Sequence, residues 1–99
     1  MMQPEEVKRF VNQFHTDREI SHGAKGAIIG EIEKAAGSDR RRKLLLGYLF
    51  GNGNLMSSKE LKPGQWIGLR EWIVVQKIGD EWVHRASFRA EVDAILNLV

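Results

Sequence analysis

The sequence predicts an all-α fold, a compact bundle of four to five short helices in a single domain over residues 1–99. Three observations carry that prediction. Apolar residues recur at three- and four-residue steps in separate segments, the spacing that places them on one helix face. Serine or proline stands where each of these segments would begin. No internal repeat or linker divides the chain. The alternative is a winged-helix fold with a hairpin at residues 72–85.

Pro4 suits the first position of a helix, and Glu5 and Glu6 follow where the positive end of the backbone dipole favours acids. Val7, Phe10, Val11 and Phe14 then share one face. Thr16 with Glu19 has capping-box spacing and Ser21 is a second candidate cap, so residues 15–22 form a connection that restarts the helix. Ala24, Ala27, Ile28, Ile32 and Ala35 line the next helix, with Lys25, Glu31, Glu33 and Lys34 left to water, and Gly37 stops it. Gly26 and Gly30 lie one turn apart inside this helix, and each costs about 1 kcal/mol relative to alanine. Close approach by another helix would explain them; a merely weak helix is the alternative.

Ser38 is the expected cap of a third helix, with Asp39 in its first turn. Arg40, Arg41, Arg42 and Lys43 follow at the positive end of the dipole, each disfavoured by roughly a few tenths of a kcal/mol. Two readings stand: a solvated run whose stems cover the core edge, or a patch facing phosphate or an acidic partner. Leu44, Leu45, Leu46, Tyr48, Leu49 and Phe50 cover most of the circumference beyond, which makes this the central helix. The run 51–54, Gly-Asn-Gly-Asn, ends it.

Ser57 and Glu60 again have capping-box spacing, and Pro63 opens a fourth helix through Trp66, Ile67, Leu69, Arg70, Ile73 and Val74. A strand competes here, because residues 73–75 are β-branched and residues 81–85 could pair with them across Gly79-Asp80. Helix is the reading preferred. Ser87 then caps a last helix with Phe88, Val92, Ile95, Leu96 and Val99 on one face.

An apolar share of 42% over 99 residues supports one core and not two. With no cysteine, burial alone holds the fold, which suits the cytoplasm. The apolar run 44–50 is far shorter than the roughly 20 residues of a membrane span, and residues 1–14 lack the apolar stretch of a signal peptide. No membrane association is expected. The Met1-Met2 start is equally compatible with an excised domain. A net charge of +2 and a pI near 9.2 permit an acidic partner without requiring one.

Chemistry is sparse. Gly51-Asn52-Gly53 lacks the lysine and hydroxyl that complete a phosphate loop. Asp17, Glu19 and Ser21 imitate a calcium loop, but His22 stands where glycine is required and Ile28 where the bidentate glutamate belongs. His15, His22 and His84 form no ligand pair, no serine sits in a nucleophile elbow, and the carboxylates Glu31/Glu33 and Glu91/Asp93 diverge on their helices. Neither catalysis nor a cofactor or metal is expected. A binding surface is. Trp66 and Trp72 lie about 120° apart around a helix, so one of them would reach the surface. Exposed aromatics beside cations suit unpaired bases, a protein interface or a core edge.

Asp39-Arg40, the leucines of residues 44–49, Gly51 or Gly53, the run Ser57-Ser58-Lys59-Glu60-Leu61, and the helix with Leu69 and Trp72 together resemble a small helical module. That module is similar to the one often found at the C-terminal end of phage and bacterial DNA-recombination proteins, including those of the single-strand-annealing type, and in actinobacterial proteins. The resemblance covers under half the chain. Lys62 stands where that module carries a threonine cap, and Pro63-Gly64-Gln65 replace its acidic helix start. No annealing domain lies upstream, so the resemblance implies a helical accessory or docking unit in DNA metabolism.

Two functional expectations result. The first is a non-enzymatic module in nucleic-acid transactions that presents Arg40, Arg41, Arg42, Lys43, Lys59 and Lys62 to single-stranded DNA or to a DNA-processing partner. The second is a protein-interaction or self-assembly module in which Tyr48, Trp66 and Trp72 meet another chain or a second copy. A winged-helix regulator is a further alternative.

Overall fold

Among the described residues, α1 (Pro4–Val11), α2 (His22–Ala36), α3 (Asp39–Phe50), a 3-10 turn (Ser58–Glu60), α4 (Pro63–Ile73), β1 (Gln76–Ile78), β2 (Glu81–Val83) and α5 (Phe88–Leu96) follow in order. The computed structural model describes residues 1–74 and 85–99 in full, and residues 76–78 and 81–83 as backbone. The small helical bundle expected from the sequence is the architecture observed, with one short hairpin added.

α1 ends at Val11, before Phe14, because Asn12 takes the C-cap position. Its Nδ2 donates to the carbonyls of Lys8 at 2.7 Å and Leu49 at 2.9 Å, which closes α1 and ties it to the end of α3. Phe14 lies beyond the helix and meets Phe10 edge to face, centroids 5.7 Å apart. Ser21, not Thr16, caps α2: Ser21 Oγ accepts from the Ala24 amide at 3.1 Å, whereas Thr16 Oγ1 serves Arg18 within the connection. Gly37 ends α2 at φ 100°, a conformation strained for any residue with a Cβ. Ser38 Oγ then accepts from the Arg41 amide at 3.2 Å and opens α3 at once, so α2 and α3 form a helical hairpin.

Leu45, Leu46 and Leu49 are buried, and α3 packs against α1, α2 and α5, as its wide apolar surface requires. Asn52 at φ 54° and Gly53 at φ 88° reverse the chain beyond it. The chain runs back along the helix, with Gly53 N donating to Gly47 O at 2.9 Å and Met56 N to Lys43 O at 3.2 Å. Glu60 Oε2 accepts from Ser57 N at 2.8 Å in the expected reciprocal cap, around a 3-10 turn instead of an α-helix.

The close helix approach expected at Gly26 and Gly30 does not occur there among the described residues, which leave the space beside both open. It falls on α4. A Cβ on Gly64 would overlap the carbonyl oxygen of Phe14, and one on Gly68 that of Val11, so α4 lies directly against the end of α1. Both glycine pairs have the i,i+4 spacing of a shared face, and the spacing does not say which face meets a neighbour.

The helix expected through Val74 ends at Ile73, and an antiparallel hairpin follows with Gln76 opposite Val83 and Ile78 opposite Glu81. Of the β-branched residues expected to open a strand, Ile73 is buried in α4 and Val74 closes that helix. Val75, His84 and the turn expected at Gly79-Asp80 lie outside the described residues. Gly64, Trp66, Gly68, Leu69, Trp72 and Ile73 of α4 are buried, while Pro63, Ile67, Arg70 and Glu71 lie on its more accessible face.

Ser87 precedes α5 but its side chain makes no cap bond, and Val99 lies exposed past the helix end. Phe88, Val92, Ile95 and Leu96 are buried as expected. Glu91 is buried beside them. Its Oε1 accepts from Trp72 Nε1 at 2.8 Å and pairs with the Arg85 guanidinium, while Oε2 accepts from Met2 N at 2.7 Å. One carboxylate thus joins the start of the chain, α4, the segment after the hairpin, and α5.

Candidate functional site

The four cations at the start of α3 are not equivalent. Arg42 reaches Glu33 at 3.0 Å and Asp39 at 2.6 Å, and its side chain is only 12% exposed. Lys43 pairs with the other oxygen of Asp39 at 3.1 Å. Arg41 turns back, and its Nε donates to the Ala36 carbonyl at 2.7 Å, where the unsatisfied carbonyls at the end of α2 favour a cation. Only Arg40 of the four makes no ion pair or hydrogen bond by its side chain among the described residues. Arg41, Arg42 and Lys43 of the expected phosphate-facing run are therefore engaged with the chain's own carboxylates and helix end, and Arg40 is not. A cation row that looks expensive for α3 is offset by Asp39, Glu33 and the C-terminus of α2.

Lys59 and Lys62 are exposed and form no ion pair among the described residues. Lys59 lines a groove with Lys25 of α2, whereas Lys62 lines two other cavities beside Gln65. The six expected cations thus belong to different neighbourhoods.

The expected interface aromatics are also placed by packing. Trp72 is completely buried, donates to Glu91 and meets Phe88 edge to face at 4.8 Å. Trp66 is 4% exposed. The expectation that one of the pair reaches the surface fails because α4 is enclosed by α1 and α2 as well as by α5's Phe88. Tyr48 is half-buried; its hydroxyl donates to Glu5 at 3.2 Å and the Lys8 ammonium lies 5.2 Å from its ring centroid. Burial first, then the Glu5 charge and hydrogen bond, hold its phenol above the usual tyrosine pKa. Tyr48 therefore joins α3 to α1.

One of the described concavities is a groove of about 440 Å³ between the first half of α2 and the 3-10 turn. Ile29, Leu61 and Trp66 form its apolar part, and Lys25, Lys59 and His22 supply its polar edge. Lys25 lies 5.7 Å from the Trp66 ring centroid and 2.9 Å from Glu19. Trp66 is the residue of this groove that sequence reasoning singled out by its aromatic character; Lys25 was assigned to water and Ile29 to no face. Ile29 adjoins the buried stripe of Ile28 and Ile32, and that one-residue offset was the available signal.

Among the described residues no group of three His, Asp or Glu side chains could hold a metal ion, and no helix is long and apolar enough to cross a membrane. No protein-family model, no curated protein and no solved structure matches this chain.

Proposed function

We propose that the chain is a non-enzymatic helical module that works by docking another protein. The observation that carries this is the pairing of Arg42 with Glu33 and Asp39 and of Lys43 with Asp39, which sets carboxylates within the cation row that a nucleic-acid surface would present. An apolar groove with Trp66 at its wall stays uncovered. The resemblance of residues 39–72 to modules of recombination proteins makes the proteins of DNA recombination the first partners to try.

Selection against a displayed library of bacterial and phage protein fragments tests the proposal. The expected result is a fragment held in an equimolar complex that survives moderate salt, while labelled single-stranded DNA is not retained even at low salt. Sedimentation at several concentrations distinguishes such a partner from a second copy of this chain. Retention of the oligonucleotide, falling steeply with salt and lost in the combined Arg40→Glu, Lys59→Glu and Lys62→Glu variant, overturns the proposal.

A further inference from the structure

We propose that the groove between α2 and the 3-10 turn receives an acidic amphipathic helix. An apolar residue of that helix enters over Ile29, Leu61 and Trp66, and its flanking carboxylates meet Lys25 and Lys59. This deepens the docking function proposed above and rests on it.

At about 440 Å³, the groove lies within the range of roughly 300–1,000 Å³ typical of small-ligand clefts. Its charge is one-sided. The ionisable residues that line it are His22, Lys25 and Lys59, with no Asp or Glu among them. The other described cavities each include an acid: Asp17, Glu60 or Glu31. The rim already holds a carboxylate in the free chain, since Glu19 reaches Lys25 at 2.9 Å while its own side chain stays 63% exposed. A partner's carboxylate can take that place at little cost, because an exposed ion pair is worth little by itself. Lys59 makes no ion pair among the described residues and is available to a second acid.

The lip of the groove favours a helix as occupant. Gly26 lines it, and the position its Cβ would take is open, as it is at Gly30 one turn on. Glycines that weaken an exposed helix without admitting a neighbour from their own chain leave room for a backbone from another.

The test selects from a displayed library of amphipathic helices whose polar face is drawn from Glu, Gln or Lys. Affinities of the enriched peptides are then read by fluorescence anisotropy against the full chain, its Gly26→Leu, Lys59→Glu and Arg89→Glu variants, with thermal melting as the folding control. Gly26→Leu fills the lip at a site with open space and replaces a poor helix former, so its melting temperature holds or rises. The expected outcome is enrichment of Glu-faced helices, with binding weakened about tenfold or more by Gly26→Leu and by Lys59→Glu and unchanged by Arg89→Glu, which lies outside the groove. Enrichment of Lys-faced or uncharged helices, binding indifferent to both groove variants, or no enriched helix overturns the groove assignment. If protein fragments still bind in the broader selection, docking stands and only this site falls; if they do not and single-stranded DNA binds, docking falls with it.

Discussion

Glu91 stands on α5 one turn before Ile95, a position that helical periodicity assigns to the apolar face. A charge there survives burial only if its lone pairs are used, and Trp72, Arg85 and Met2 use them. Glu91→Ala strands the Trp72 indole N–H and the Met2 amide at once and leaves Arg85 without its partner. We expect a loss of roughly 3 kcal/mol or more in urea unfolding, with Glu91→Gln losing less because its amide oxygen still accepts from Trp72. Tyr48 offers a second residue-scale observable as the chain's single tyrosine. Its phenol ionises above the ordinary value of about 10. The unfolded chain therefore releases that proton first, and the stability Tyr48 contributes is complete below the unfolded pKa and lost as pH rises through the folded one. Ultraviolet titration of the phenolate should show the raised midpoint, and Glu5→Gln should lower it towards the ordinary value. The pairing of Asp39 with Arg42 and Lys43 was legible in the sequence, at i,i+3 and i,i+4 on one helix. The pairing of Glu33 with Arg42 was not, because it exists only once Gly37 and Ser38 fold α2 back on α3.

Two helices carry glycines at the same spacing and use them in opposite ways. In α4, Gly64 and Gly68 let the helix lie on the carbonyls of Phe14 and Val11, so neither tolerates a methyl group. Gly64→Ala and Gly68→Ala should each cost about 1–3 kcal/mol, the range for overpacking, because the obstructing atoms are backbone. In α2, Gly26→Ala and Gly30→Ala meet nothing and should each stabilise the isolated chain by about 0.5–1 kcal/mol in the same denaturant assay. The opposed signs are the check on this assignment. They also bear on the groove, since a helix kept weaker than it needs to be on its open side is consistent with a partner on that side. The hairpin after α4 follows the same logic at the scale of elements. Local β propensity at residues 73–75 points to a strand, but burial of Ile73 in the bundle keeps that residue helical.

Buried side chains from α1 to α5 form one core, with Val7, Ile32, Leu45, Leu69 and Val92 each contributed by a different helix. Met2 N to Glu91 ties the first residues to the last helix within it. Such a molecule should unfold as one unit. Helical circular dichroism and tryptophan fluorescence should give coincident urea transitions. Separate midpoints would show that the α2–α3 hairpin or the α1–α4 pair melts by itself.

The sequence by itself determined the starts of α1, α3 and α4 at Pro4, Ser38 and Pro63, the stops of α2 and α3 at Gly37 and the turn at 51–54, and the apolar faces of α3 and α5. These features act within a few residues along the chain, so spacing and residue type suffice to read them. Only the tertiary structure decided which glycine pair admits a neighbour, which cations of the basic run stay unengaged, and that both Trp66 and Trp72 face inward. Each of these depends on which helix lies opposite, and a helix face has no partner until the chain packs.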